Sequence, residues 1–348
     1  MADRKTKQPQ SVETVRDGVT IDDIAKRANV SKSTVSRVLN GSAVVNQQKQ
    51  DAVHQAVIDL DYTPNMFAQG LASGKSMTLG ILTQNIGSPF YAAIAQGVIE
   101  GLAGSGYTPL FVDGGWDHER EAVSIEALIS RKVDGLLIVG GDIAASELQS
   151  YEKQMPLIVV ARDINGLERR CVSVNNKQIG YMATKHLLEQ RHTQIAFIHG
   201  IEGHPDAQDR FAGHLEALQE AGISRSDELL YQGDFSGHSG LKAVNYLLDQ
   251  GISFSAIVAA NDMVALGSRL ALYRRGIRVP DDVSIIGCDD QAAAAFMTPP
   301  LTTIRQPSYE MGVVASKALL SSISNEDYEW SELAPELQIR ESVKRFTS

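Results

Sequence analysis

The sequence has little that would point to an exported, disulfide-stabilised or membrane-embedded protein. Its 348 residues include two cysteines, Cys171 and Cys288, too few for a disulfide framework and without the spacing of metal ligands. No apolar run approaches the roughly 20 residues needed to cross a bilayer. Residues 1–17 are polar and lack the apolar segment of a secretory signal. We therefore expect a disordered tail over residues 1–17 and a reducing, cytoplasmic setting.

Positive charge is also scarce over the chain as a whole. The formal net charge is −10, which argues against general binding of nucleic acid by the entire surface. Residues 1–75 nevertheless hold ten Lys and Arg against eight Asp and Glu, a net charge of +2, and the remainder holds 22 against 34, a net charge of −12. A mildly basic segment beside an acidic body restricts where a polyanion can dock.

Signatures of catalysis are missing as well. The sequence has no zinc-ligand spacing, no phosphate-binding loop and no nucleophile elbow. The glycine turns near Gly104 and Gly200 are too short to indicate a dinucleotide site, and His199 and His204 are isolated histidines of the kind that is usually structural or solvated. We expect neither an enzyme nor a bound cofactor or metal.

What is present begins with two short amphipathic helices. Apolar residues recur at helical spacing over residues 21–28, and Thr20 with Asp23 can cap that helix. After a tight connection at Asn29-Val30, Ser31 caps a second helix. The apolar stripe of this second helix lies opposite a face of basic and hydroxyl-bearing side chains.

A third helix is predicted from about residue 47 to residue 60. Three helices of this kind predict an all-α helix-turn-helix domain over residues 18–62, with the polar face of the second helix able to enter a major groove. An ordinary helical hairpin with a solvated outer face shares the pattern and is the alternative.

Three ordered motifs run through this part of the chain. They are Val19-Thr20-Ile21-x-Asp23-Ile24-Ala25, Val30-Ser31-x-x-Thr34-Val35-Ser36-Arg37-Val38-Leu39-Asn40 and Tyr62-x-Pro64-Asn65-x-x-Ala68-x-x-Leu71. They resemble the LacI family of bacterial transcription regulators. The resemblance implies a ligand-responsive homodimer that binds a pseudo-palindromic DNA operator. By motif position it implies base contacts from Lys32, Ser33 and Arg37, and phosphate contacts from Thr20, Ser31 and Thr34.

Residues 63–75 are predicted to form a hinge. Thr63 and Pro64 suit the start of a helix and Ser73-Gly74 its end, but a helix this short is marginal in water without a partner. A flexible linker is the alternative. The resemblance implies a hinge helix that pairs with its copy across the dimer, with Leu71 wedged into a minor-groove base step. It places Asn65 and Ala68 among the DNA-binding residues too.

From residue 76 onward, apolar segments of strand length alternate with amphipathic helices. Such alternation predicts parallel sheets covered on both faces, with enough strands for two. The fold class is therefore α/β after the all-α head. Two facing α/β units place a ligand in the cleft between them, outside the carboxyl ends of the strands.

Further segments of this body resemble the same family. They include Arg131-x-Val133-Asp134-Gly135-Leu136, Arg210-Phe211-Ala212-Gly213, Ala260-Asn261-Asp262-x-x-Ala265-Leu266-Gly267, Val279-Pro280-x-Asp282-Val283-Ser284-Ile285-Ile286-Gly287 and Pro300-Leu301-Thr302-Thr303-Ile304. The resemblance implies a periplasmic-binding-protein-like core over residues 76–348, built from two doubly wound α/β subdomains. Crossovers are expected near Asn175, Gln306 and Pro335, which gives an N-subdomain of residues 76–175 plus 307–335 and a C-subdomain of residues 176–306 plus 336–345.

Nine residues are candidates for contacting a small-molecule effector in this cleft. Arg210, Asn261 and Asp289 are the leading polar candidates, because a guanidinium fork and a carboxylate suit the vicinal hydroxyls of a sugar. Phe235 should offer an aromatic face. The remaining candidates lie on other cleft loops: Asn85, Ser88, Phe90, Tyr91 and Asp163. The alternatives are a surface arginine for Arg210, a turn pair for Asp289-Asp290 and core packing for Phe235.

Competing protein classes fit the sequence less well. A secreted solute-binding protein would share the core but not residues 20–71, and a constitutive architectural DNA-binding protein would not need a ligand core. We expect a homodimeric cytoplasmic repressor whose DNA affinity responds to a small molecule, most simply a sugar or sugar derivative. Cys288, Asn175-Asn176 and Ala161-Arg162-Asp163 depart from the family pattern near the cleft and leave the identity of the effector open.

Overall fold

Two separately folded units make up the chain, residues 1–74 and residues 75–348. The computed structural model describes residues 19–39, 45–62 and 74–347. The predicted tail, Asn40 and the predicted hinge residues Asn65, Ala68 and Leu71 lie outside the described residues. Along the described parts, no helix is both long and apolar enough to span a membrane.

The first unit contains three short helices around a small apolar core. They are α1 (Ile21–Arg27), α2 (Lys32–Leu39) and α3 (Gln47–Asp59). The Asp23 carboxylate accepts hydrogen bonds from the Thr20 backbone N–H at 3.0 Å and from its hydroxyl at 2.7 Å, and so fixes the start of α1. Ile24, Val35 and Val53, one from each helix, are fully buried together.

The N-subdomain is a five-stranded parallel sheet in the order β2-β1-β3-β4-β5. Its strands are β1 (Thr78–Thr83), β2 (Thr108–Asp113), β3 (Gly135–Val139), β4 (Leu157–Val160) and β5 (Cys171–Val172). Its helices are α4 (Pro89–Gly101), α5 (His118–Ser130) and α6 (Ala145–Glu152). Side chains of β3 alternate between two apolar clusters on opposite faces of the sheet, which is why this strand reads as a continuous apolar run.

The C-subdomain is a six-stranded sheet in the order β11-β10-β9-β8-β6-β7, parallel except for its β11 edge. Its strands are β6 (Ile195–Ile198), β7 (Leu230–Tyr231), β8 (Ala256–Ala259), β9 (Ser284–Asp289), β10 (Thr302–Arg305) and β11 (Glu336–Gln338). Its helices are α7 (Asn176–Glu189), α8 (Pro205–Glu220), α9 (Gly237–Asp249) and α10 (Asp262–Arg274).

The chain passes between the two sheets three times. It leaves β5 of the first sheet and enters α7 of the second; it returns after β10 through α11 (Ser308–Ile323), and passes back to β11. Helix α11 packs in the core of the N-subdomain, where Met311, Ala315 and Leu319 are buried with residues of α4, β3 and β4. The carboxyl ends of β1 and β2 therefore face those of β6, β8 and β9 across a cleft.

Candidate functional site

A cavity of about 340 Å³ lies between the loops that follow the strands of the two sheets. Eight of the nine effector candidates line it: Asn85, Ser88, Phe90, Tyr91, Arg210, Phe235, Asn261 and Asp289. Asp163 does not line it. Its exposed carboxylate instead accepts a 2.5 Å hydrogen bond from the Ser173 hydroxyl, because the loop after β4 carries it to the rim.

Arg210 is the cation of the cavity wall and is held by the protein itself. Its side chain, 5% exposed, donates from Nε to Asn176 Oδ1 at 2.9 Å and from Nη1 to the Ala260 carbonyl at 2.6 Å. Its guanidinium carbon is 5.7 Å from the centre of the Phe235 ring, which is within cation–π range. Within the described chain, Nη2 makes no hydrogen bond. The guanidinium is thus fixed before any ligand arrives.

Asp289 is a buried carboxylate at the end of β9. Its two oxygens accept hydrogen bonds from the side-chain amides of Gln306, at 2.7 Å, and Gln291, at 3.1 Å. The Gln291 backbone is itself held by Asp262, whose Oδ2 accepts from the Gln291 N–H at 2.8 Å. Burial raises the pKa of Asp289, while Arg210 and these amides oppose the rise.

Phe235 reaches the cavity from a strained turn. Its φ is +64°, a conformation uncommon for a bulky residue. Asn261 holds the turn, since its Nδ2 donates to the Phe235 carbonyl at 3.1 Å while its Oδ1 caps α10 through the Val264 N–H at 2.9 Å. A Cβ atom at Gly200 would lie 2.1 Å from Phe235 Cζ, so glycine is required there for this ring position.

A row of aromatic rings continues along the cavity wall. Neighbouring ring centres are 5.2 Å apart for Phe90–Tyr91, 6.2 Å for Tyr91–Trp116, 4.7 Å for Trp116–His204 and 5.5 Å for His204–Phe235. All five residues line the cavity. The first three belong to the N-subdomain and the last two to the C-subdomain, so the row crosses from one to the other.

The first turn of α8 brings three cavity residues to the same edge. His204 caps the helix, with its Nδ1 accepting from the Asp206 N–H at 3.2 Å, and Asp206 and Arg210 follow. Burial, with a smaller contribution from Arg210, lowers the pKa of His204 to about 4. Burial raises the pKa of Asp206 to about 6, with Arg210 opposing it. At neutral pH His204 is therefore uncharged and Asp206 is mostly ionised.

The cavity includes several residues that the sequence does not single out as effector contacts. Among them are Trp116, His204, Asp206, Asp234 and Gln306. Asp206 carried a usable signal, because it lies one turn before Arg210 on the same helix. Trp116 and Gln306 come from distant parts of the chain and are recognisable only once the two subdomains are assembled.

In the head, α2 presents the predicted DNA-reading residues. Ser31, Lys32, Ser33 and Arg37 are exposed and Thr34 is half-buried. The Ser31 hydroxyl accepts from the Thr34 N–H at 3.2 Å and so caps the helix. Lys32 Nζ lies 2.6 Å from Asp22 Oδ2 on α1, so a base contact from Lys32 would exchange this surface ion pair for one with DNA.

Comparisons with known proteins match both units. A family model described as "Bacterial regulatory proteins, lacI family" matches residues 20–65. Another, described as "Periplasmic binding proteins and sugar binding domain of LacI family", matches residues 76–339.

Similar proteins cover nearly the whole chain. The chain is 34% identical to the HTH-type transcriptional regulator GalR of Escherichia coli (strain K12), over 88% of this chain and 90% of that protein. It is 33% identical to the HTH-type transcriptional repressor PurR of Aliivibrio salmonicida (strain LFI1238), over 94% of this chain and 99% of that one. A structure of the lac repressor dimer bound to operator and the anti-inducer ONPF superposes with a TM-score of 0.85 at 26% identity, covering 94% of this chain and 100% of that chain.

Proposed function

Because the chain belongs to the lacI family of bacterial regulatory proteins, we propose that it is a repressor whose affinity for operator DNA is set by a neutral sugar bound in the cleft. The family match confirms the predicted fold class and the predicted class of function, a DNA-binding transcriptional regulator. The observation that carries the effector proposal is the convergence of Arg210 and Asp289 on an aromatic-walled cavity between the subdomains.

The chemistry of the wall favours a sugar. Rings such as Phe90, Trp116 and Phe235 can pack against the apolar C–H face of a pyranose or furanose. A fixed guanidinium and buried carboxylates suit pairs of neighbouring hydroxyls, since each hydroxyl both donates and accepts. The cavity is at the lower end of the range for small-molecule pockets, about 300–1,000 Å³, which suits a single sugar ring.

The charge of the wall favours a neutral ligand over a phosphorylated one. Arg210 is the single cation among the lining residues, and it is accompanied by the carboxylates of Asp206, Asp234 and Asp289. Even with Asp289 protonated, the wall carries no excess positive charge at neutral pH. A phosphate group would need additional cationic or backbone N–H partners there.

A thermal-shift screen tests the effector class. Purified full-length protein is heated with neutral monosaccharides, with the corresponding sugar phosphates and with nucleobases. A ligand that binds the native state raises the melting temperature by mass action. We expect stabilisation by at least one neutral sugar. Stabilisation by a sugar phosphate or a purine alone would contradict the proposal.

The same family membership supports proposals for the DNA-binding half. We place base contacts at Lys32, Ser33 and Arg37 and phosphate contacts at Thr20, Ser31 and Thr34, on a pseudo-palindromic operator. Asn65, Ala68 and Leu71 remain predictions of a DNA-contacting hinge in residues 63–75. The site of action is the cytoplasm, where the operator lies.

Dimer formation is supported by an apolar stripe on the surface of the C-subdomain. Leu266, Leu270 and Tyr273 on α10 are 40%, 42% and 78% exposed and recur at helical spacing. A second copy related by twofold symmetry would cover this stripe with its own. Sedimentation of Tyr273→Glu against wild type tests the assignment, and an unchanged dimer would contradict it.

A further inference from the structure

Trp116 and His204 are in direct contact across the cleft. Their ring centres are 4.7 Å apart and the rings are inclined by 69°, an edge-to-face arrangement. Trp116 follows β2 in the N-subdomain, and His204 precedes α8 in the C-subdomain. Both side chains also line the cavity. This pair is therefore a bridge between the two cavity walls, and we refer to it as the Trp116–His204 bridge.

The tryptophan side of the bridge is rigid. Gly115 and Trp116 both have positive φ, +65° and +57°, which turns the chain sharply after β2. The Trp116 N–H donates to the Gln84 side-chain oxygen at 3.0 Å, and Gln84 is itself 1% exposed at the end of β1. The indole is consequently presented from a backbone that is anchored in the N-subdomain core.

The histidine side is equally constrained. His204 caps α8 through its Nδ1, Pro205 occupies the first helical position, and the ring contacts Phe235 at 5.5 Å. The charged groups that act on His204 come from both subdomains: Arg210 from α8, and Asp142 and Arg162 from loops of the N-subdomain. The uncharged imidazole is suited to packing against an indole edge within the closed cavity.

We propose that the Trp116–His204 bridge limits the size of the effector, admitting one sugar ring and excluding a second. A ring bound between Arg210, Asp289 and Phe235 lies on the inner side of the bridge. A disaccharide extended toward Trp116 has to separate the indole from the imidazole, and with them the two subdomains. Trp116 and His204 are thus specificity-determining residues of the cleft. This inference rests on the proposed sugar effector.

The bridge is tested first without any sugar. The chain has two tryptophans, so Trp330→Phe leaves Trp116 as the sole indole emitter. Acrylamide quenching of that emission measures how accessible Trp116 is. In this background His204→Ala should raise the quenching constant about twofold, because the ring that covers the indole edge is lost. His204→Phe keeps a ring and should resemble the parent, and His54→Ala, an exposed histidine of α3, is the matched control.

The size limit is tested with four probes, D-glucose, D-galactose, cellobiose and lactose. Calorimetry should show wild type binding a monosaccharide at least roughly tenfold more tightly than the disaccharide that extends it, a difference of about one unit of log Kd. Trp116→Ala should reduce that preference by loss of the barrier. A double-mutant cycle with His204→Ala should show roughly two- to tenfold non-additivity in monosaccharide Kd.

The outcomes separate the two proposals. Equal quenching in His204→Ala and its parent would overturn the bridge, and so would wild-type preference for a disaccharide or an unchanged preference in Trp116→Ala. If none of the four sugars binds wild type, the proposed effector class is wrong, whereas the quenching comparison still decides the bridge. Melting temperatures of each variant establish that the compared proteins are folded.

Discussion

Gln306 donates a 2.7 Å hydrogen bond from its side-chain amide to the buried carboxylate of Asp289. Gln306 lies between β10 and α11, where the chain passes from the C-subdomain back to the N-subdomain. The cavity carboxylate is therefore bonded directly to a crossover. A ligand that engages Asp289 acts on a group whose position depends on how the subdomains are joined.

Gln306→Ala should weaken effector binding and make it more sensitive to acid. Losing a hydrogen bond to a carboxylate removes about 1.5–3 kcal/mol, and it allows the already raised pKa of Asp289 to rise further. Calorimetry at pH 6 and pH 8, on the order of one unit either side of neutrality, should show a larger loss of affinity at the lower pH. Gln219→Ala, an exposed glutamine of α8, is the control, and equal affinities for the two variants would refute the assignment.

Arg210→Ala and Asp289→Ala should abolish the ligand response and spare DNA binding. Both side chains line the cavity, and neither belongs to the helix-turn-helix unit. Arg210→Ala should also lower the free energy of unfolding by about 1–3 kcal/mol, because the Ala260 carbonyl loses a buried donor. Thermal shift with the effector and operator titration without it are the measurements. Arg345→Ala, at an exposed arginine, should behave as wild type; normal ligand binding by either cavity variant would show that the cleft is misplaced.

Arg37→Ala should relax base specificity at one position in each half-site. A bidentate contact to guanine contributes roughly 1–3 kcal/mol of discrimination, and Arg37 is an exposed side chain of α2. Selection from random duplexes followed by titration at fixed salt measures the effect. Lys49→Ala, exposed on α3, should reduce affinity without changing the selected motif. Retention of full specificity by Arg37→Ala would contradict the predicted reading face.

Stability should fall as the pH drops below about 6.5, the ordinary histidine pKa. Burial lowers the pKa of His199 to about 4 and that of His214 to about 3. Between those values and 6.5 the unfolded chain binds protons that the folded chain does not, so unfolding becomes more favourable as protons are added. Above 6.5 the contribution is complete and constant.

The histidine effect can be assigned by substitution. Each such group changes the unfolding free energy by up to about 1.4 kcal/mol per pH unit in that window. His214→Gln, which can retain a hydrogen bond to the Thr184 hydroxyl now 2.9 Å from Nδ1, should flatten the pH dependence of urea unfolding by close to one proton. An unchanged slope would mean that His214 is protonated in the folded state.

Leu71→Ala should lower operator affinity strongly and leave effector binding and dimerisation intact. This prediction comes from the sequence, since residues 63–73 lie outside the described residues. A wedge that enters a base step is offset against an unstacking cost of a few kcal/mol, about the size of the expected loss. Amide exchange over residues 64–72 should be fast in the free protein and slow on operator DNA. Equal rates would mean that the segment is only a tether.

Much of this architecture was predictable because local and global signals agree. Strand β3 is apolar throughout because both faces of its sheet are covered, and α1 starts where Thr20 and Asp23 can cap it. By contrast, α6 and α11 are missing from the predicted elements. Helix α6 has eight residues, and α11 is apolar around much of its circumference because α4 and the sheet enclose it.

The cavity was predictable where a motif marks a strand end. Arg210, Asn261 and Asp289 follow that rule, although the Asn261 amide also caps α10 and holds the Phe235 turn. Asp163 shows the limit of the rule, since the direction of its loop, and not its distance from a strand end, takes it to the rim. Trp116 depends on a positive φ and on a partner in the other subdomain, and neither is encoded within a short window.

The two cysteines lie one in each subdomain, Cys171 on β5 and Cys288 on β9, and both are free and buried. Burial raises the pKa of each thiol, that of Cys171 to about 11, so neither reacts readily with an electrophile while its sheet is closed. Alkylation of each position thus times the opening of one half of the core independently of the other. The native chain carries two internal clocks, and a ligand that braces only one half should slow only one of them.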